Sequence, residues 1–166
     1  AVAVSGCLQI IMRAQGRGRI IFNSSVLGLV CMPYRGAYNA SKFALEAMAD
    51  TLRLELRGRG IDIILIEPGP IDSRFRYHAR EAFLRFIDPT QSVHQQAYQL
   101  MEQRLSKPGL SGRFTLSADA VAEKVVQALA ARRPKRRYYV TTPTYLFAFL
   151  KRVLPTALLD KILSRG

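Results

Sequence analysis

A serine, a tyrosine thirteen positions later and a lysine four beyond that, Ser25, Tyr38 and Lys42, are the residues of this chain best suited to chemistry. Four residues is about one helical turn, so the phenol and the ammonium share a helix face. A cation held beside a phenol favours the phenolate and brings its pKa down from about 10 toward the working range. A tyrosine so placed can give and take a proton near neutral pH. Taken singly, a tyrosine at a helix start packs, a lysine one turn on is solvated and a serine after a strand is a cap. The spacing of the three behind an apolar run points instead to one reacting centre. They suit a reaction in which a carbonyl oxygen gains negative charge and then a proton, or the reverse.

The elements that must hold these groups are legible around them. Arg19 leads the apolar run Ile20, Ile21 and Phe22, which gives way to Asn23, Ser24 and Ser25. Such short runs bounded by glycine and serine are typical of parallel strands covered on both faces. Ligands collect beyond the carboxyl ends of such strands, which is where Ser25 stands. Tyr38 to about Arg57 reads as a long helix, with Phe43, Leu45, Met48, Leu52, Leu54 and Leu56 as apolar positions and Gly58 and Gly60 as its stop. Glu46, Asp50 and Glu55 on that helix read as a solvated face. A second buried strand, Ile61 to Ile66, runs into Glu67-Pro68-Gly69-Pro70. Strand, helix and strand of these lengths make a right-handed crossover in a parallel sheet, so the predicted fold class is α/β.

The remaining segments frame this unit. Residues 1–15 fit a helix ended by Gly16 and Gly18. Residues 72–116 turn polar and rich in Arg and Gln, with Asp88-Pro89 and Lys107-Pro108-Gly109 as breakers. They predict two helices, over 77–87 and 92–105, forming a lid or substrate wall. Ser117 reads as the N-cap of a helix through Ala131, and Arg137 to Thr141 as the final strand. The tail, 143–166, is amphipathic with Lys151, Arg152, Lys161 and Arg165. Its apolar runs are far shorter than the roughly 20 residues of a membrane span. Packing, or contact with a second subunit, is the expectation for it, with interfacial membrane contact the lesser one.

Composition sets bounds on function. The formal charge of +13 and pI near 10.4 invite nucleic acid or an anionic surface as partner. Apart from 132–137 the cations are scattered, without interleaved aromatic residues, so a solvated basic face is expected and no nucleic-acid partner. Cys7 and Cys31 lie in apolar contexts and read as buried, reduced thiols of a cytoplasmic protein. His78 and His94 have no companion at ligand spacing, so no metal is expected.

Ser25 followed by Tyr38-Asn39-Ala40-Ser41-Lys42 resembles the YxxxK signature of the short-chain dehydrogenase/reductase family, and Pro68-Gly69-Pro70-Ile71-Asp72-Ser73 resembles its PGxxxT segment. The resemblance runs along the whole chain. It implies the C-terminal part of a Rossmann-like, doubly wound parallel sheet, residues 1–166 being the catalytic portion of one domain. The implied activity is hydride transfer between NADP or NAD, with NADP favoured, and an alcohol or carbonyl compound. An apolar aldehyde, ketone, retinoid or steroid-like substrate would suit the hydrophobic tail and the lid. By the same resemblance Tyr38 is the proton donor, Ser25 binds the substrate oxygen, and Lys42 also meets the nicotinamide ribose. Pro68, Gly69 and Ile71 would lie along the carboxamide, with Ser73 in place of the commoner threonine. Leu27, Gly28 and Tyr34, with Arg35, would shape the substrate pocket.

The family's TGxxxGxG turn, which holds the cofactor phosphates, has no counterpart in these residues, and no asparagine precedes Asn23 to fill the family's relay position. The chain is therefore expected to be the C-terminal portion of a longer protein and inactive alone. A homodimer or homotetramer through the helix ending at Gln15 and the Tyr38–Arg57 helix is a further implication. Two other readings stand beside the enzyme: a truncated, non-catalytic interaction module, and a basic protein of membrane surfaces.

Overall fold

A computed structural model describes residues 10–106 and 112–164. Its centre is strand β2 (Ile61–Glu67), which is buried at every position but Asp62. Only a strand flanked on both sides and covered on both faces can be apolar almost throughout. Accordingly β1 (Gly18–Asn23) pairs with it in parallel from Gly18↔Ile61 to Asn23↔Ile66, and β5 (Arg137–Tyr139) pairs in parallel on its other edge from Leu65↔Arg137.

Helix α1 (Gly36–Glu55) closes one face, where Ala49 packs with Ile20, Phe22, Ile61, Ile63 and Leu65. Helix α4 (Ala118–Ala130) closes the other through Ala128 against Ile64, Ile66, Tyr138 and Val140. The alternation of β1 thus feeds two cores. Residues 10–15 are helical, and Met12 joins the first core. Part of the basic charge is structural: Arg19 donates to the carbonyls of Ala128, Leu129 and Ala131, capping the C-terminus of α4.

The polar segment forms a small subassembly. Strand β3 (Ile71–Asp72) pairs in parallel with β4 (Leu116–Ser117), and between them lie α2 (Phe75–Phe86) and α3 (Gln95–Ser106). The two helices meet through the Phe83 and Tyr98 rings, 5.8 Å apart, and an Arg80–Glu102 ion pair at 3.2 Å. The breaker at 107–109 lies outside the described residues. Ser117 holds the N-cap position of α4, but its hydroxyl makes no capping bond and instead faces Asp119 at 3.5 Å.

The tail is two helices, α5 (Thr142–Val153) and α6 (Thr156–Leu163), broken at Pro155. Leu163, Leu159 and Phe147 pack under Val26, Leu27 and Val30, so the tail supports the loop after β1. Among the described residues no helix is long and apolar enough to cross a membrane. The final strand stops at Tyr139, because Thr141 and Thr144 turn inward at the start of α5. Cys31 departs from expectation: it is exposed, on the loop rather than in a core. Cys7 lies outside the described residues.

Candidate active site

Three backbone connections build the floor of the site. After β1 the chain continues beside β2, with Ser24 N–H donating to the Ile66 carbonyl at 2.8 Å and Val26 N–H to the Pro68 carbonyl at 2.7 Å. These bonds fasten the Ser25 loop to the turn that follows β2. Ser25 then caps a single helical turn, Val26–Gly28, its oxygen accepting the Leu27 N–H at 3.1 Å. The side chain is 8% exposed, and its own proton remains to be donated.

Helix α1 brings the other two groups. Tyr38 and Lys42 lie one turn apart, with the Lys42 Nζ 5.6 Å from the Tyr38 ring centroid. Lys42 is held by a bond from Nζ to the Asn23 carbonyl at 3.0 Å, which ties α1 to the end of β1. Burial pulls its ammonium below the usual lysine range, and the nearby Glu46 carboxylate pulls the other way. The start of α1 is anchored by Asn39, buried, whose Nδ2 donates to the Met32 carbonyl at 3.0 Å.

The segment expected to form a lid reaches this floor through aromatic rings. Tyr38 meets Phe75 of α2 at 5.3 Å, and Tyr34 meets His94 at 5.5 Å and Tyr98 of α3 at 5.9 Å. Tyr34 has a φ of 59°, a left-handed conformation that is costly for a bulky residue and turns it toward α3. Arg35, beside it, is drawn below the usual guanidinium range by burial and then by Arg104 of α3, with Tyr38 opposing.

The other residues singled out by the sequence separate into those at the floor and those beneath it. Pro68, Gly69 and Ile71 follow β2 directly, and Ser73 is exposed, its Oγ accepting the Phe75 N–H at 3.3 Å at the start of α2. Gly69 lacks room for a side chain because a Cβ there would strike the Thr141 and Thr144 hydroxyls. That crowding belongs to the fold. Leu27 and Gly28 are buried, Leu27 among Val26, Val30 and Leu163, and Gly28 against Glu46 and Ser24. Of the three expected pocket residues, only Tyr34 stands at the open surface facing the lid.

The solvated face assigned to Glu46, Asp50 and Glu55 is corrected by the structure. Glu55 is exposed, but Glu46 is 7% exposed and Glu67 is fully buried. Arg137 Nη1 donates to both carboxyls, and its Nη2 to Asp50 at 2.8 Å. Burial opposes the charge of Arg137, yet the hydrogen bonds and charges of Glu46 and Glu67 hold it above the usual guanidinium range. The sequence offered one signal: Glu67 closes a strand that is otherwise almost wholly apolar.

Lys42 spends one of its three N–H groups on Asn23, leaving two that can donate to a ligand, and the Pro68–Ser73 turn lies across the loop bonds from Ser25.

Comparison with known proteins agrees. A family model described as short chain dehydrogenase matches residues 2–83. The chain is 45% identical over 153 residues to the uncharacterized oxidoreductase YbbO of Escherichia coli K12, covering 92% of this chain and 51% of that protein. It is 33% identical to the NADPH-dependent 3-dehydrocapnine reductase of Ornithobacterium rhinotracheale, covering 90% of this chain and 50% of the reductase. A Burkholderia phymatum short chain dehydrogenase/reductase solved with NAD superposes with a TM-score of 0.61 at 30% identity, over 93% of this chain and 52% of that one. The chain spans about half the length of the curated relatives it matches.

Proposed function

The chain belongs to the short-chain dehydrogenase/reductase family, and from that premise we propose that the protein it forms part of reduces an apolar carbonyl compound with NADPH, and oxidises the alcohol in reverse. The observation that carries this reading is the floor itself. One pair of backbone bonds fastens the Ser25 loop to the Ile66–Pro68 end of β2, while Lys42 fastens α1 to the end of β1. The Ser25 loop and the start of α1, which carries Tyr38 and Lys42, are thereby tied to the ends of β2 and β1 before any substrate arrives, and such preorganisation lowers a barrier. NADPH is preferred because a relative of 33% identity is named for it.

A nicotinamide, when bound, would supply the hydride. Ser25, its oxygen already committed to the Leu27 N–H, directs its proton at the substrate oxygen. Tyr38 transfers its phenolic proton to that oxygen as negative charge develops, and Lys42 offsets the charge left on the phenol. Phe75, Tyr34 and Tyr98 form the apolar wall that admits an aldehyde or ketone and excludes water. The test is the full-length protein carrying Tyr38→Phe. Loss of the general acid is expected to lower kcat for NADPH-linked aldehyde reduction by about 10²–10⁴-fold, with cofactor affinity kept. A rate near wild type would refute the assignment.

A further inference from the structure

One turn beyond Lys42 on α1, Glu46 points into the protein, where it meets Glu67 at the end of β2. The two carboxyls come from residues 21 positions apart and converge on one nitrogen of Arg137. Each spends one oxygen on that guanidinium. The remaining oxygens, Glu46 Oε1 and Glu67 Oε2, are buried and have no hydrogen-bond partner. Two buried acceptors without a donor are costly, and two adjacent carboxylates cannot both be ionised cheaply. A single proton between them removes both costs.

Besides Arg137, the cation coupled to the pair is Lys42, whose ammonium the Glu46 carboxylate favours. Lys42 and Asp50 of α1 and Arg137 and Tyr139 of β5 are the charged or titratable neighbours, and Arg152 of α5 acts on Tyr139 rather than on the carboxyls. The Glu67 carboxyl is pushed up to about 8, first by burial and then by Glu46, with Arg137 opposing. Gly28 fits the same picture: a Cβ there would come within 2.8 Å of Glu46 Cγ and 2.9 Å of Ser24 Oγ, so the glycine lets Glu46 reach under the catalytic loop.

We propose that Glu46 and Glu67 share one proton, donated by Glu67 to Glu46, and that this pair, clamped by Arg137, is a positioning device that sets Lys42 and the Ser24–Ser25 loop against the Pro68–Gly69 turn. Glu46 works through α1 and the loop, and Glu67 through Pro68, the one residue that separates it from Gly69. The catalytic consequence rests on the oxidoreductase reading; the shared proton does not.

The experiment is infrared spectroscopy of the full-length protein, following the carbonyl stretch of a protonated carboxyl and its shift in D2O. The expected result at pH 7 is one such band, absent from Glu67→Gln and fading as pH rises through about 8. In Glu46→Gln, which removes the second negative charge, the band is expected to fade at a lower pH than in the wild type. NADPH-linked turnover is expected to fall along the same titration, with that limb missing in Glu67→Gln. Glu46→Ala, checked for folding by circular dichroism, is expected to lower kcat by about 10²-fold with substrate KM little changed. No band at pH 7, or a band indifferent to Glu67→Gln, overturns the shared proton. The band with an unchanged kcat in Glu46→Ala overturns the positioning role. The band without reduction of any carbonyl supports the shared proton and overturns the oxidoreductase reading alone.

Discussion

The floor of the site and its lid are built on opposite principles. In the floor, backbone bonds, the Lys42–Asn23 bond and the Arg137 network cross-link β1, β2, β5 and α1. The lid has little of this: α2 buries only Phe83, α3 buries nothing, and Arg80 reaches across to Glu102 in a half-exposed pair and to the Ser106 hydroxyl at 2.9 Å. A proton must be delivered within a few tenths of an ångström, and only over-determined geometry does that. A wall that sorts substrates needs shape but not such exactness, and can move to admit them. On the proposed function, the difference assigns rate to the floor and preference to the lid.

Breaking the floor should cost most. Arg137→Met leaves Glu46 and Glu67 buried without their cation, and about 3–5 kcal/mol of stability should be lost in urea unfolding. The floor should also carry a pH signature. Because the Glu67 carboxyl sits at about 8 when folded and near 4.5 otherwise, the folded protein holds a proton that the unfolded chain releases. Its stabilising contribution is full below 4.5 and declines as pH rises toward about 8. The wild type is therefore expected to lose stability relative to Glu67→Gln across that window, and parallel curves would count against it. Gly69→Ala should cost about 1–3 kcal/mol through its collision with Thr141 and Thr144, measurable as a lowered melting temperature. The matching lid change, Arg80→Met, removes a part-exposed pair and should cost less than about 1 kcal/mol.

The same contrast explains what the sequence could disclose. Tyr38 and Lys42 are one turn apart on a helix, and Pro68-Gly69 follows a buried strand, so local periodicity places them. The strands β1 and β2 and the helix between them were legible for the same reason. Glu46 was not, because its burial depends on Arg137, 91 residues away, and a carboxylate near Asp50 and Glu55 on a helix otherwise looks solvated. Gly69 was readable as a required glycine, but the atoms that require it, on Thr141 and Thr144, come from a distant segment. Leu27, two residues after Ser25, was expected to line the pocket, and α6 covers it with Leu163. Cys31, in an apolar stretch, is exposed because that stretch is a loop.

The division between floor and lid is tested most directly by kcat/KM of the full-length protein for a homologous series of straight-chain aldehydes, with Ser25→Ala and Tyr34→Ala measured beside the wild type. The account predicts that Ser25→Ala lowers kcat/KM by about the same factor, on the order of 10²–10³, at every chain length. Tyr34→Ala, which loses its ring contacts to His94 and to Tyr98 of α3, should change the dependence on chain length by roughly tenfold across the series and leave kcat for the best substrate within about twofold. A chain-length preference altered by Ser25→Ala, with a uniform loss of rate in Tyr34→Ala, would contradict it.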